Sequence, residues 1–289
     1  MIEFFLAAAI SFTAADARLA HATAAGLVEN CTPRDAGTPE GLKAARWIRA
    51  AAAEEGVDAR LDPFRAMTPD GERDFANVVA EIPSARTNAP WVVFISHFDT
   101  APAVKRPFEG ANDGASTTGL MVALAAAVRR AGAVGVNVAF EWTDAEECRV
   151  RYGPDDGFQG ARHAAARFRA QGRRVKAAIG LDMLGDRDLH VTVPPNGDAA
   201  LKEAVFRAAK AAGLAPLVSA GRYGVLDDFV AFHEAGFPAV DLIDFEYGSA
   251  PGKNDYWHTP ADTMDKVSAE SLEKAGRLAA AILDALKEK

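Results

Sequence analysis

The chain has 289 residues, 40 Asp and Glu against 32 Lys and Arg for a formal net charge of −8, and an apolar content of 49%. This is ample for a globular core in one large or two small domains, and without a long basic run it excludes DNA and RNA as main partners. Cys31 and Cys148 form neither a C-x-x-C pair nor a dense framework, which excludes a structural zinc module and a stapled secreted miniprotein and leaves at most one disulfide open.

The opening stretch MIEFFLAAAISFTAADA has a short apolar run and an A-x-A-like ADA, but it carries Glu3 and no Lys or Arg. It makes a poor signal peptide. The competing reading is an N-terminal helix that packs Phe4, Phe5 and Leu6 onto the core, which favours the cytoplasm over export. No later segment approaches the ~18 continuous apolar residues of a membrane span, so a soluble protein without a membrane partner is expected.

In TPEGLKAARWIRAAAAEEG, the residues Ala44, Trp47, Ile48 and Ala51 recur at helical spacing, with Pro39 before the start and Gly56 after the end. The apolar runs FANVVAEI, WVVFISH, VNVAFEW and AAIGLDM have strand length, and helical stretches such as STTGLMVALAAAVRRAG and GARHAAARFRAQG separate the later ones. This alternation predicts an α/β sandwich with a largely parallel central sheet. The first two runs, with only PSARTNAP between them, suit an antiparallel hairpin as an alternative. LHVTV, the helix GDAALKEAVFRAAKAAG, the strand FPAVDLI and a closing helix with Leu272, Ala275, Ala279, Ile282 and Leu286 on one face complete the chain. No repeat, low-complexity tract or linker interrupts it, so one domain is expected over 1–289.

Functional side chains in open α/β sheets gather beyond the carboxyl ends of the strands. Those positions are polar here: His97 and Asp99 after WVVFIS, Asp113 in GANDGAS, Glu146 and Glu147 after AFEWTDA, Asp182 after AAIGL, and His258 in NDYWHTP. Taken singly, each such residue is ordinarily a cap or a solvated turn residue. Together, two imidazoles and several carboxylates make a zinc-type ligand set. Adjacent Glu146 and Glu147 point in different directions, so one can hold a metal while the other serves as base. Asp144 and Glu141 read as groups behind the ligands or in solvent, and Cys148 as packed. His21, His163, His190 and His233 read as structural or surface residues.

Read together, SHFDT, GANDGAS, DAEE, LDM and YWHTPADT resemble motifs of the M28 family of zinc aminopeptidases and of its close relatives, the glutaminyl-peptide cyclotransferases. The resemblance implies an α/β/α sandwich around a mixed, largely parallel sheet. It implies Asp113, Glu147 and His258 as zinc ligands, Glu146 as the acid/base, and His97 and Asp182 as ligands of a second zinc if the centre is dinuclear. FRAMTPDGERDFANVVAEI, EECRVRYGPDDGFQGARHAAARF and the Asp227–Asp228 pair in LDDFVAFHEAGFPAVDLI are more similar to the cyclotransferases, as is Trp257 before His258. Phe229 departs from the His that both branches usually carry, Asp241 from the His of the animal cyclotransferases, and Tyr152 from a pocket Trp.

What the cyclotransferase resemblance implies is cyclisation of an N-terminal Gln of peptides or proteins to pyroglutamate. Zinc polarises the side-chain carbonyl, Glu146 moves the proton, Asp182 and Asp227 hydrogen-bond Glu146 and the substrate, and Trp257 and Tyr152 wall the pocket. The alternative is a two-zinc aminopeptidase, with Glu146 taking a proton from the water that attacks the first peptide bond.

Overall fold

The computed structural model describes residues 9–132 and 135–287; the expected packing of Phe4, Phe5 and Leu6 lies outside them. In chain order the elements are α1 (Ala14–Cys31), α2 (Pro39–Glu54), β1 (Ala59–Thr68), β2 (Gly71–Ile82), β3 (Trp91–His97), a π-type turn (Ala111–Ser116) and α3 (Thr117–Ala131). Then follow β4 (Asn137–Thr143), α4 (Gln159–Ala170), β5 (Val175–Asp182), β6 (Val191–Val193), α5 (Ala199–Ala211), β7 (Val218–Ala220), α6 (Phe229–Glu234), β8 (Ala239–Ile243) and α7 (Ala269–Leu286). None of the described helices is long and apolar enough to cross a membrane.

The strands form one mixed sheet in the order β1-β2-β4-β3-β5-β8-β6-β7. β4, β3, β5 and β8 run parallel at its centre, with antiparallel β2 on one flank and antiparallel β6 on the other. Residues alternate between two buried faces. Val92 and Phe94 of β3 join the core beneath α1, α2, α3, α5 and α7, whereas Val93 and Ile95 join the core beneath α4 and α6. Burial on both faces is why these strands are continuously apolar in sequence. The result is a three-layer α/β/α fold.

The alternative of a hairpin between the first two apolar runs is not realised, because β4 lies between β2 and β3. The hairpin is β1–β2, turned at Pro69 and Asp70 with Thr68 paired to Gly71. β1 escapes an apolar-run search because its residues are mostly half-buried or exposed and it contains Pro63, which an edge strand tolerates. α1 starts with a capping box between Thr13 and Asp16. α2 starts with Thr38 as cap and Pro39 in its first turn. Cys31 and Cys148 are both free thiols.

His163 and Glu141 belong to a charged network between the β1–β2–β4 flank and α4. His163 Nε2 lies 3.2 Å from Asp62 Oδ2, Arg167 pairs with both Asp62 and Glu141, and Phe64 stacks on the His163 ring at 4.5 Å. Burial raises the Asp62 pKa, but His163 and Arg167 outweigh it and bring the group from 3.8 to about 2. A depressed carboxylate stabilises the fold above its unfolded pKa and loses that contribution as pH falls through the folded value. Asp62→Asn should therefore cost about 1 kcal/mol at neutral pH once solvent screening of this partly exposed group is allowed for, and urea titrations should show the difference from wild type closing between pH 3.8 and about 2. A difference that persists undiminished below that window would contradict the network's role.

Candidate metal centre and active site

The parallel strands deliver their carboxyl ends to one side of the sheet, with His97 closing β3, Thr143 closing β4 and Asp182 closing β5. Asp113 arrives on the π-type turn that leads into α3, where Asp113 has φ −80°, ψ 97° and Gly114 has φ +88°. A Cβ at residue 114 would sit 3.1 Å from the His97 ring, so glycine supplies both the left-handed backbone and the space for the imidazole. Four of the five non-glycine residues with positive φ among the described residues, Ala145, Phe158, Met183 and His258, lie in or beside these segments. Such backbone costs of order 1–3 kcal/mol per residue and collects where a site demands it. At Ala145 it turns the chain between Asp144 and the two glutamates.

Asp113 stands between two imidazoles. His97 Nε2 is 3.0 Å from Asp113 Oδ1 and 3.3 Å from Asp182 Oδ1. His258 Nε2 is 3.2 Å from Asp113 Oδ2 and 2.9 Å from Glu147 Oε1. Donor atoms of His97, Asp113 and Glu147 also lie within 4.8 Å of one another, close enough to share an ion. Asp113 Oδ2, despite its approach to His258, and His97 Nδ1, 3.6 Å from Asp99 Oδ1, are buried without a well-aligned hydrogen bond, and such under-satisfied atoms among N and O donors fit a divalent cation. Of the expected set, His258 contacts both Asp113 and Glu147, but the three donors within mutual reach of one ion among the described residues are His97, Asp113 and Glu147, and Asp182 joins His97.

Charge at this centre is poorly compensated by the protein. Burial, and then the negative charge of Glu147, pushes the Glu146 carboxyl well above the usual carboxylate range. Burial and Asp113 raise Glu147 to about 7, and burial raises Asp182 to about 7 against the pull of His97. Burial acts to lower both histidines but is outweighed by their carboxylate partners. His97 stands well above its ordinary value and His258 at about 10. Asp99 accepts hydrogen bonds from the amides of Glu146 and Glu147 at 3.1 and 3.2 Å, which fixes the divergence of the two glutamates.

Tyr152 and Trp257 sit on opposite partners of the centre. The Tyr152 hydroxyl donates to Glu146 Oε2 at 3.4 Å while its ring stacks on Phe158 at 4.5 Å; Trp257 stacks on the His258 ring at 4.1 Å. Asp227 accepts from the amide of Asp228 at 2.6 Å, and its carboxylate acts on Glu146 by charge. The Thr143 hydroxyl donates to Asp228. A Cβ at Gly180 would meet Asp241 Oδ1 at 2.5 Å and Asp227 Oδ2 at 3.3 Å, so those two carboxyls fill the space above that glycine. Asp241 is fully buried, as is Phe229, which packs in the apolar core beneath α4 and α6. Asp144 is buried and accepts from the Ala76 amide at 3.1 Å, a structural role away from solvent.

Three positioning residues were not singled out from the sequence, although Asn112 lies in GANDGAS and Asp262 in YWHTPADT. Asp262 accepts from the amides of Asn112 and Asp113 at 2.8 and 3.2 Å and from the Tyr247 hydroxyl at 2.7 Å. Asn112 donates to the Met183 carbonyl at 3.0 Å and accepts from the Gly185 amide at 2.8 Å, tying the Asp113 turn to the end of β5. Arg34, fully buried, donates to the carbonyls of Phe98, Glu109, Gly110 and Asp113. The ADT that follows YWHTP contains Asp262, and this adjacency to His258 was the available signal for it.

A sequence model of peptidase family M28 matches residues 77–283. The chain is 27% identical over 257 residues to the glutaminyl-peptide cyclotransferase-like protein of Mus musculus, covering 79% of this chain and 65% of that protein. It is 27% identical over 210 residues to aminopeptidase YwaD of Bacillus subtilis, covering 69% and 42% respectively. The chain therefore spans less than two thirds of the length of either relative. Among solved structures, an Acidobacteriales bacterium glutaminyl cyclase superposes with a TM-score of 0.85 and 29% identity over 94% of both chains.

Titration with zinc should raise the melting temperature of metal-stripped protein, since a ligand that binds the folded state alone stabilises it by mass action. Glu147→Ala should abolish that rise. Asn112→Ala should weaken zinc affinity by about 10–100-fold, the usual loss when a residue supporting a ligand is removed, as read by competition with a chromophoric chelator. Zinc binding that Glu147→Ala leaves intact would refute the ligand assignment.

Proposed function

The chain belongs to peptidase family M28, and we propose that it is a glutaminyl-peptide cyclotransferase, converting the N-terminal Gln of a peptide to pyroglutamate with release of ammonia. The likeness to a solved glutaminyl cyclase along nearly the whole of both chains carries this reading. The loop that brings the Tyr152 hydroxyl to Glu146 supports it.

Asp113, Glu147 and His258 would hold one zinc, which when bound supplies a Lewis acid for the side-chain carboxamide carbonyl. The remaining work falls to the side chains. The peptide's α-amine attacks the carboxamide carbon, a ring C–N bond forms, and the bond to the amide nitrogen breaks. Glu146 takes one proton from the amine and delivers it to the departing nitrogen, so ammonia leaves and the carboxylate is restored. Burial shifts the Glu146 pKa upward, which makes it a stronger base than an ordinary carboxylate and suits a group that must accept and then return a proton. Asp227 would orient the amine, and Asp182, 3.3 Å from His97 Nε2, would hold that imidazole in place. Tyr152 and Trp257 would bound the pocket on the Glu146 and His258 sides.

The pair His97 and Asp182 supports one other reading. His97 lies between Asp113 at 3.0 Å and Asp182 at 3.3 Å much as His258 lies between Asp113 at 3.2 Å and Glu147 at 2.9 Å, which would suit a second zinc and hydrolysis of the first peptide bond, with Glu146 taking a proton from the attacking water. Metal content and product mass separate the two. The cyclotransferase reading expects one zinc per chain, loss of ammonia from a Gln-initiated peptide, and at least a ~10²-fold loss in Asp227→Ala as orientation of the amine is lost. Two zinc ions with release of free N-terminal residues would establish the aminopeptidase instead. In either case Glu146→Gln should retain metal and lose ~10²–10⁴-fold in kcat, because an amide keeps the shape but cannot accept the proton; wild-type turnover in that variant would remove Glu146 from the chemistry.

A further inference from the structure

A cavity of about 330 Å³ opens beside the centre, between the loop Tyr152–Phe158 and α6. Its volume lies within the range of ligand pockets, about 300–1,000 Å³. One wall is formed mainly by Tyr152, Pro154 and Phe158 and the other by Leu226 and Val230, with Arg162 and Glu234 also in the lining. Each wall is joined directly to a carboxylate of the proposed reaction. Tyr152 donates its hydroxyl to Glu146, and Leu226 is the residue before Asp227.

The cavity is preformed. Arg162 Nη1 donates to the carbonyls of Gly153 and Gly157 at 2.8 and 2.7 Å, with its guanidinium 5.5 Å from the Phe158 ring centroid. Asp156 accepts from the amides of Arg149, Val150 and Arg151, and Gly153 pairs with Asp156 in a short antiparallel bridge. Arg162 is thereby occupied in holding the loop, which leaves the two walls to present mainly apolar surface. Leu226 is nevertheless 57% exposed, an apolar side chain held in solvent at the mouth of a cavity.

We propose that this cavity receives the side chain of the second residue of the peptide substrate and selects for an apolar one; the proposal rests on the reading that the first residue is bound beside Glu146. One residue of extended chain advances ~3.3–3.6 Å, so a peptide whose amino end lies at Glu146 brings its next side chain past Tyr152, which faces both spaces. Seating an apolar side chain there removes Leu226 and Val230 from water together with the ligand.

The experiment compares kcat/KM for Gln-Phe-Ala-amide and Gln-Gly-Ala-amide on zinc-loaded protein. Wild type should favour the Phe peptide at least about tenfold, the usual yield of an apolar pocket, with the difference mainly in KM, as for binding shared by ground and transition states. Leu226→Ser should reduce the ratio at least about threefold, and Leu226→Asp further, since it places a carboxylate against the ring. Leu226 is exposed, so both variants should keep the wild-type melting temperature, and each ratio is internal to one preparation. A wild-type ratio within twofold of unity, or one that neither variant changes, would overturn the proposal. Product mass is read in parallel: release of free Gln would overturn the cyclotransferase reading, while the ratio measured on that product would still decide the subsite.

Discussion

Asp113, Glu146, Glu147, Asp182, Asp227, Asp228 and Asp241 are all buried, and taking that many ionised groups out of water would cost more than the net stability of an ordinary domain. The fold meets the difficulty in three ways. Backbone amides are turned toward carboxylates, as at Asp99 and Asp262. Without a bound metal, the two imidazoles beside Asp113 are drawn toward their protonated form, and a metal ligated there would displace those protons. Other carboxyls are pushed by burial toward their protonated form. The buried guanidinium of Arg34 is committed to carbonyl oxygens, so it orders the Asp113 turn without forming an ion pair. A divalent cation between the imidazoles would relieve what is left, and the strained backbone at Ala145, Met183 and His258 serves the geometry that such an ion requires.

That constraint also divides the residues by how visible they are in sequence. His97, Asp182, Glu146 and Glu147 stand out because each follows an apolar strand, where a charged residue breaks a continuous pattern. Their supports do not stand out. Asp262 holds amides about 150 positions earlier in the chain, and Arg34 reaches carbonyls more than 60 positions away; no local pattern marks an acceptor or a donor whose partner is set by topology. His163 was unremarkable for the same reason, since Asp62 and Phe64 come to it from β1.

The fold was legible where burial was two-sided. β3, β4, β5 and β8 read as strands because both faces are covered, and α7 read as a helix because its buried face recurs at helical spacing. β1 and β7 lie at the two ends of the sheet, bury little and leave weak apolar signals. The pairing of β2 stays open in the sequence because loop length allows a hairpin but cannot say whether another strand is inserted later. Only the register of β2 on β4, Val78 opposite Trp142 through Ile82 opposite Val138, settles it.

The same two outer strands bear on how copies of the chain behave beside one another. An outermost strand offers a free row of amides and carbonyls onto which another polypeptide can add. Here β1 interrupts that row with Pro63, which has no amide hydrogen, and flanks it with Arg60 and Arg65, whose side chains are about half or more exposed. β7 at the opposite end is three residues long, too short to template an added strand. The sheet is thus closed to growth from both sides, and a concentrated solution of the folded protein should resist assembly through shared β-structure.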